Sequence, residues 1–165
     1  GNTYINCQGS TINLNGGAGI SVFADDYYNA TLDIEYCTIY DGETFGLNYT
    51  GSSSGNVSNC NFVSNDIGLV LMDYSEVNLK NSIFMDNHRY GLGIISEEPI
   101  LNATYSNFWD NPEGDCAENC PGWGSIWTPW EPEPGTGIIY KNPLFENLNN
   151  LDFTLSDNSP CIVSG

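Results

Sequence analysis

Apolar and polar residues alternate along this chain in short runs, and the runs return at a nearly constant interval. The stretch from Asn56 to Leu71 shows the unit: one alternating run through Val57, Cys60 and Phe62, then Asn65 and Asp66, then Gly68-Leu69-Val70-Leu71. The same phrase recurs as Val77 to Asn87 with Gly91-Leu92-Gly93-Ile94-Ile95, and earlier as Leu32 to Asp41 with Gly46-Leu47-Asn48-Tyr49. Alternation with period two predicts strands with one buried face, and the Asn, Asp and Gly between them predict turns.

Two markers measure the interval. Ile39, Phe62, Phe84 and Phe108 follow one another by 23, 22 and 24 residues, and Gly19, Gly46, Gly68 and Gly91 by 27, 22 and 23. A period of this length holding two or three short strands predicts a solenoid, because a sandwich would alternate without a fixed repeat. Equivalent strands should then stack in parallel, about 4.8 Å apart. Inward positions become columns of like residues. One is Ile39, Phe62, Phe84 and Phe108; a second is Cys37, Cys60, Ser82 and Ser106; a third is Asn65, Asn87 and Asn111. The third suits a stacked amide ladder that satisfies the turn backbone, a structural role.

The first coil runs from Tyr4 to Phe23, Asp25 to Tyr28 forms the turn before coil two, and coil five begins near Leu101. From Pro112 to Gly137 the pattern breaks. That segment holds five of the eight prolines, three of the four tryptophans, and both Cys116 and Cys120. It reads as a long excursion from the stack, and long loops commonly carry function or interfaces. The repeat is expected to resume at Ile138-Ile139-Tyr140 and to close through Asn142 to Phe145, Asp152 to Leu155 and Ser159 to Ile162.

The phrases Gly9-Ser10-Thr11-Ile12, Cys37-Thr38-Ile39 and Asn59-Cys60-Asn61-Phe62 resemble right-handed parallel β-helix proteins of the pectate-lyase-like and NosD-like repeat families. The closing phrases, Asn142-Pro143-Leu144-Phe145 through Ser159-Pro160-Cys161-Ile162, are similar to the last coil of secreted members. The resemblance implies an all-β, right-handed parallel β-helix of about six coils over residues 1–165, one domain with the 112–137 segment as a loop insertion. It does not imply one activity, since this fold hosts lyases, hydrolases, adhesins and surface-layer proteins.

Charge narrows the partners. Three basic residues stand against 21 acidic ones, a net charge of −18. Nucleic-acid binding is excluded by the lack of phosphate-neutralising groups, and an anionic membrane surface would repel the chain. No apolar run is long enough to span a membrane. The acidity reads either as solubility in an extracellular setting or as Ca²⁺ binding, for which Asp25 and Asp26 are the candidate ligands. The even set of cysteines (Cys7, Cys37, Cys60, Cys116, Cys120 and Cys161) and the sequons at Asn29, Asn48, Asn56 and Asn102 favour an exported, disulfide-forming glycoprotein. The start at Gly1, inside a repeat, reads as a mature or excised piece.

Lyases of β-helix type abstract a proton with Arg or Lys, and only Lys80, Arg89 and Lys141 are present. His88-Arg89 reads as a base and carboxylate clamp or as a solvated turn. The clustered Asp and Gly-His-Gly motifs of polygalacturonase-like hydrolases are missing, and a lone acidic pair does not make a glycosidase. His88 is the one histidine, so zinc is not expected. Cys116 and Cys120 suit a bridge within the loop or from it to another part, and Cys37 and Cys60, in one column of adjacent coils, suit either a bridge or stacked buried thiols. Cys7 and Cys161 lie in the first and last coils and would approach only between stacked copies. Trp123, Trp127 and Trp130 suit carbohydrate stacking, the loop's own core or a subunit contact. The expected function is structural: a cell-surface or extracellular protein that associates with copies of itself, head-to-tail or laterally, as a filament, sheath or layer. The alternative is a carbohydrate-binding or carbohydrate-processing module with polysaccharide as partner. No cofactor other than Ca²⁺ is suggested.

Overall fold

The structure is a computed structural model that describes residues 3–13, 19–25, 27–96, 98–119, 128–129 and 136–162. Five coils succeed one another in chain order. Coil one holds β1 (Thr3–Gln8), β2 (Thr11–Asn13) and β3 (Ile20–Ala24); coil two holds β4 (Ala30–Glu35), β5 (Thr38–Tyr40) and β6 (Phe45–Gly51). Coil three holds β7 (Ser54–Ser58), β8 (Asn61–Val63) and β9 (Ile67–Met72); coil four holds β10 (Glu76–Lys80), β11 (Ile83–Met85) and β12 (Tyr90–Ile95). Coil five holds β13 (Ile100–Thr104), β14 (Asn107–Trp109) and β15 (Gly114–Asn119). The strands stack as three parallel sheets, β1-β4-β7-β10-β13, β2-β5-β8-β11-β14 and β3-β6-β9-β12-β15, and these form the three walls of a solenoid. The parallel solenoid expected from the repeat is therefore the fold.

The register puts like residues on like. Ile12, Ile39, Phe62, Phe84 and Phe108 stack inside the second wall. The rings of Phe62 and Phe84, and of Phe84 and Phe108, stand 4.8 Å apart between centroids and almost parallel, at 3° and 9°. Parallel strands at a fixed rise force this spacing, which is near the lower limit for aromatic pairs. Leu47, Leu69, Leu92 and Cys116 line the third wall, all buried. Ile34, Val57 and Leu79 fill the first.

Each corner repeats one backbone device. Tyr36, Asn59, Asn81 and Tyr105 take positive φ, near 50°, at the first corner; Asp41, Ser64, Asp86 and Asp110 do so at the second. Asn and Asp tolerate that region best, which is why the repeat shows them there. At the second corner the Asn ladder is present. Asn65 Nδ2 donates to Asn87 Oδ1 at 3.2 Å, and Asn87 Nδ2 donates to Asn111 Oδ1 at 2.9 Å. The same oxygens accept the backbone N–H groups of Asn65 and Asn87, at 3.2 and 3.1 Å. The column is scaffold, as its spacing predicts.

Gly55 is required by packing. Tyr49 occupies a core position that Leu71 fills one coil later, and its hydroxyl donates across the interior to the Leu32 carbonyl at 2.7 Å. Burial raises the phenol's pKa well above its ordinary value, so it stays a donor. A Cβ on Gly55 would overlap the Leu32 carbonyl and lie 2.7 Å from the Tyr49 hydroxyl. Gly55→Ala is expected to destabilise by about 1–3 kcal/mol through overpacking. Urea denaturation of Gly55→Ala and of Gly55→Ala/Tyr49→Phe checks this; the double mutant, which removes one clashing atom, should recover part of the loss.

Two expectations need correction. The pattern does not break at Pro112. Residues Gly114–Asn119 are the third strand of coil five, in register with β12. The apolar pattern hides this strand because Cys116 stands where coils two to four place Leu and coil one places Ile20. Among the described residues a sixth coil does not form either. β16 (Thr128–Pro129) pairs antiparallel with β15, and Ile139 makes one parallel bridge to Asn107. Leu144 then turns the chain at positive φ, and β17 (Phe145–Asn147) pairs antiparallel with β18 (Asp152–Leu155). The hairpin lies against the outside of the second wall, with Phe153 5.7 Å from the Tyr40 ring. Val63, Ile83 and Met85 point outward on that wall and are nevertheless buried.

Candidate functional site: the open coil end and an amide-lined cleft

Coil one presents an apolar mouth. Among the described residues β1, β2 and β3 pair on one side only, with β4, β5 and β6. The mouth they surround has a volume of about 360 Å³ and is lined by Ile5, Cys7, Ile20, Val22, Ala30 and Leu32. Beside it Tyr4, Ile5 and Phe23 are 62%, 55% and 67% exposed. The opposite end differs. The free edge of β14 is engaged by Ile139, whose N–H donates to the Ser106 carbonyl and whose carbonyl accepts from Phe108, both at 3.0 Å. The edge of β15 is taken by β16. Of the three strands of coil five, β13 and β14 end their sheets among the described residues, and of these two β14 is the one bridged at its outer edge.

A second feature lies where the returning segment meets the second wall. A cleft of about 240 Å³ is lined by Asn59, Asn61, Asn81, Asn107, Tyr105 and Phe153, with Cys161 at its margin. Asn81 Nδ2 donates to Asn59 Oδ1 at 3.4 Å, while its own Oδ1 is buried without a partner. Asn107 Nδ2 donates to the Lys141 carbonyl at 2.7 Å. The Lys80 ammonium sits 5.8 Å from the Tyr105 ring centre. The cleft thus offers amide donors and acceptors against two aromatic walls, at a size below the roughly 300–1,000 Å³ of drug-sized sites.

Cys37 and Cys60 stand buried in one column of adjacent coils, as their spacing suggests, and a third cysteine meets them at the corner. Cys7 Sγ lies 3.8 Å from Cys37 Sγ, between coils one and two. Cys7 belongs to the column of Ile34 in the first wall, whereas Cys37 sits at the following corner, between Ser10 and Cys60 of the neighbouring coils. The two columns meet across that corner. Parity alone turns Ile5 and Cys7 inward, with Cys7 three residues before the corner of Ser10, but it does not bring Cys7 to Cys37. Cys60 donates instead to the Ser58 carbonyl at 3.1 Å, and burial pushes its thiol up to about 12. Cys116 is a buried core residue of the third wall. Cys161 packs beside Asn107 on the flank, at 3.3 Å, and not at a coil end. Cys120 lies outside the described residues.

Asp25 is exposed, and its Oδ1 accepts the N–H groups of Tyr27 and Tyr28, each at 3.0 Å, which makes it a turn residue; Asp26 lies outside the described residues. Trp123, Trp127 and Trp130 lie outside them too. Among the described residues, no three His, Cys, Asp or Glu side chains gather as a metal site. Arg89 Nε donates to both carboxylate oxygens of Asp66 at 3.0 Å, a bond that raises its pKa further and holds it as a cation. Lys80 lies on the first wall and Arg89 at the entry to the third, so these basic groups are not brought together. Of the sequons, Asn29, Asn56 and Asn102 are exposed, while Asn48 is buried on the third wall. No described helix is long and apolar enough to cross a membrane.

Neither the comparison with curated proteins nor that with solved structures found a match. The family described as right-handed β-helix region matches residues 1–126, a span that includes all five coils. With three parallel walls, register-matched columns and that match in hand, the chain belongs to the right-handed β-helix family.

Proposed function

We propose that this protein is a structural solenoid of the cell exterior that joins a second copy of itself through coil one. The observation that carries the reading is the apolar mouth, flanked by the outer edges of β1, β2 and β3, which no described strand pairs, and by exposed Tyr4, Ile5 and Phe23. An unpaired strand edge beside apolar surface is a template for pairing. The far end has two of its three edges engaged by Ile139 and β16, so head-to-tail growth meets an obstacle there. Coil one against coil one needs only the open end, and such an isologous contact closes as a dimer. The acidic composition and the three exposed sequons support an extracellular setting.

With a net charge of −18 on each copy, association should strengthen as salt screens the repulsion. Sedimentation velocity at low and high salt tests this. A dimer that grows with salt and is lost in Ile5→Asp/Phe23→Asp is expected. A chain that stays monomeric at every salt and concentration overturns the proposal.

A second reading rests on the cleft. Its four asparagines, the unpartnered Asn81 Oδ1 and the flanking Tyr105 and Phe153 suit one unit of a neutral carbohydrate, held by amides and packed on an aromatic face. Titration with neutral oligosaccharides, followed by chemical-shift changes of the asparagine amides, supports this reading if the shifts vanish in Asn81→Ala.

A further inference from the structure

We infer that Cys7 and Cys37 are an oxidisable pair, and that their disulfide staples the exposed edge strand β1 to coil two. The geometry is already near the product. The two sulfurs are in contact at 3.8 Å, and a disulfide bond is about 2.05 Å long. Cys37 Sγ also lies 3.3 Å from the Glu35 carbonyl and 3.6 Å from the Cys7 carbonyl, contacts that hold its side chain toward Cys7. Access is one-sided. Cys7 lines the apolar mouth, while Cys37 is 1% exposed and Cys60 is sealed behind it. A small oxidant therefore meets Cys7 first, and Cys37 is the thiol placed to resolve.

The chemistry balances with a low-molecular-weight disulfide as oxidant. The Cys7 thiolate attacks one sulfur of that disulfide, forming a mixed disulfide and releasing one small thiolate. The Cys37 thiolate then attacks Cys7 Sγ, the Cys7–Cys37 bond forms, and the second small thiolate leaves. Two protein thiols lose two electrons and two protons, and one small disulfide becomes two small thiols. Cys60 takes no part, because it is fully buried behind Cys37 and its thiol is directed to the Ile34 and Ser58 carbonyls, whereas Cys37 Sγ faces Cys7 Sγ.

The consequence is local. β1 is the end strand of its sheet, is mostly exposed, and is held by β4 alone among the described strands. Such edges open first in local unfolding. Cross-linking residues 7 and 37 closes a loop that contains β2, β3 and β4, and ties the end of β1 to the first corner of coil two, so β1 can no longer peel away at that end. This inference does not depend on self-association.

The test uses the full chain, reduced, freed of reductant and exposed to oxidised glutathione. After acid quenching, alkylation and peptic digestion without reduction, mass spectrometry should find the Cys7 and Cys37 peptides joined, with the loss of two hydrogens. Cys60 should be recovered alkylated. In Cys37→Ser the reaction should stop at glutathione on Cys7. Amide exchange across β1 should slow by about tenfold or more in the oxidised protein. A Cys37–Cys60 bridge, a Cys7–Cys7 bridge between chains, or Cys7 and Cys37 both left unlinked overturns the inference. So does unchanged exchange despite the cross-link. An interchain Cys7 bridge would speak for coil-one association while sinking the staple, so the two proposals fail separately.

Discussion

Phe84→Ala is expected to cost about 3–5 kcal/mol of stability, within the range for truncating a fully buried aromatic ring. The ring has no exposure and is stacked on both faces, by Phe62 and by Phe108, each at 4.8 Å. Removing it leaves a void in the fourth of five coils that the neighbouring strands cannot close, because their spacing is set by the main-chain ladder. The loss is a large part of the roughly 5–15 kcal/mol that holds a domain folded. Urea denaturation at constant protein concentration measures it. Phe84→Leu should recover more than half of the deficit, because aliphatic residues already fill this column at Ile12 and Ile39. A loss below about 1 kcal/mol for Phe84→Ala would show that the column does not bear on stability.

The second large effect belongs to a polar residue. Asn87→Leu preserves volume and removes the middle of the buried ladder. It leaves the Asn65 N–H without its acceptor, one Asn65 amide hydrogen unsatisfied and the Phe62 carbonyl without the Asn87 donor. At about 1–3 kcal/mol for each of these three buried orphans, the expected loss is about 3–9 kcal/mol. The comparison that gives this meaning is Asn78→Ala. Asn78 also stands in a ladder, donating to Asn56 at 3.1 Å and accepting from Asn102 at 3.0 Å, but on the exposed face of the first wall. Water replaces those bonds, so its loss should stay within about 0.5 kcal/mol. Equal losses in the two ladders would show that burial is not what makes the inner one matter.

Much of this architecture is legible in the chain alone. The Phe and Asn columns, the coil length and the corner residues follow from one repeat, since a parallel stack must place equivalent residues on one another. The two misreadings have a common cause. Cys116 and Ala117 do not look like a strand core, so the pattern alone puts Gly114–Asn119 in the excursion. Ile138-Ile139-Tyr140 does look like one, so the pattern alone makes it a coil. Local alternation cannot tell a strand with a weak apolar run from a loop, nor a bridge from a coil. The edge each segment meets decides that, and the edge is a property of the folded stack.

The sites divide along the same line. That Cys37 and Cys60 share a column is readable, because a column is one period repeated. That Cys7 touches Cys37 is not, because the contact joins two columns around a corner and depends on how sharply the chain turns there. The amide cleft is equally hidden. Its Asn59, Asn61, Asn81 and Asn107 come from the stack, while Phe153 and Cys161 come from a tail whose position is set by packing on the second wall. The periodic sequence by itself determined that this chain winds into a parallel β-helix with aromatic and amide columns. Only the tertiary structure decided which strand edges stay open, which thiols meet and where a cleft forms, because those depend on the places where the repeat stops.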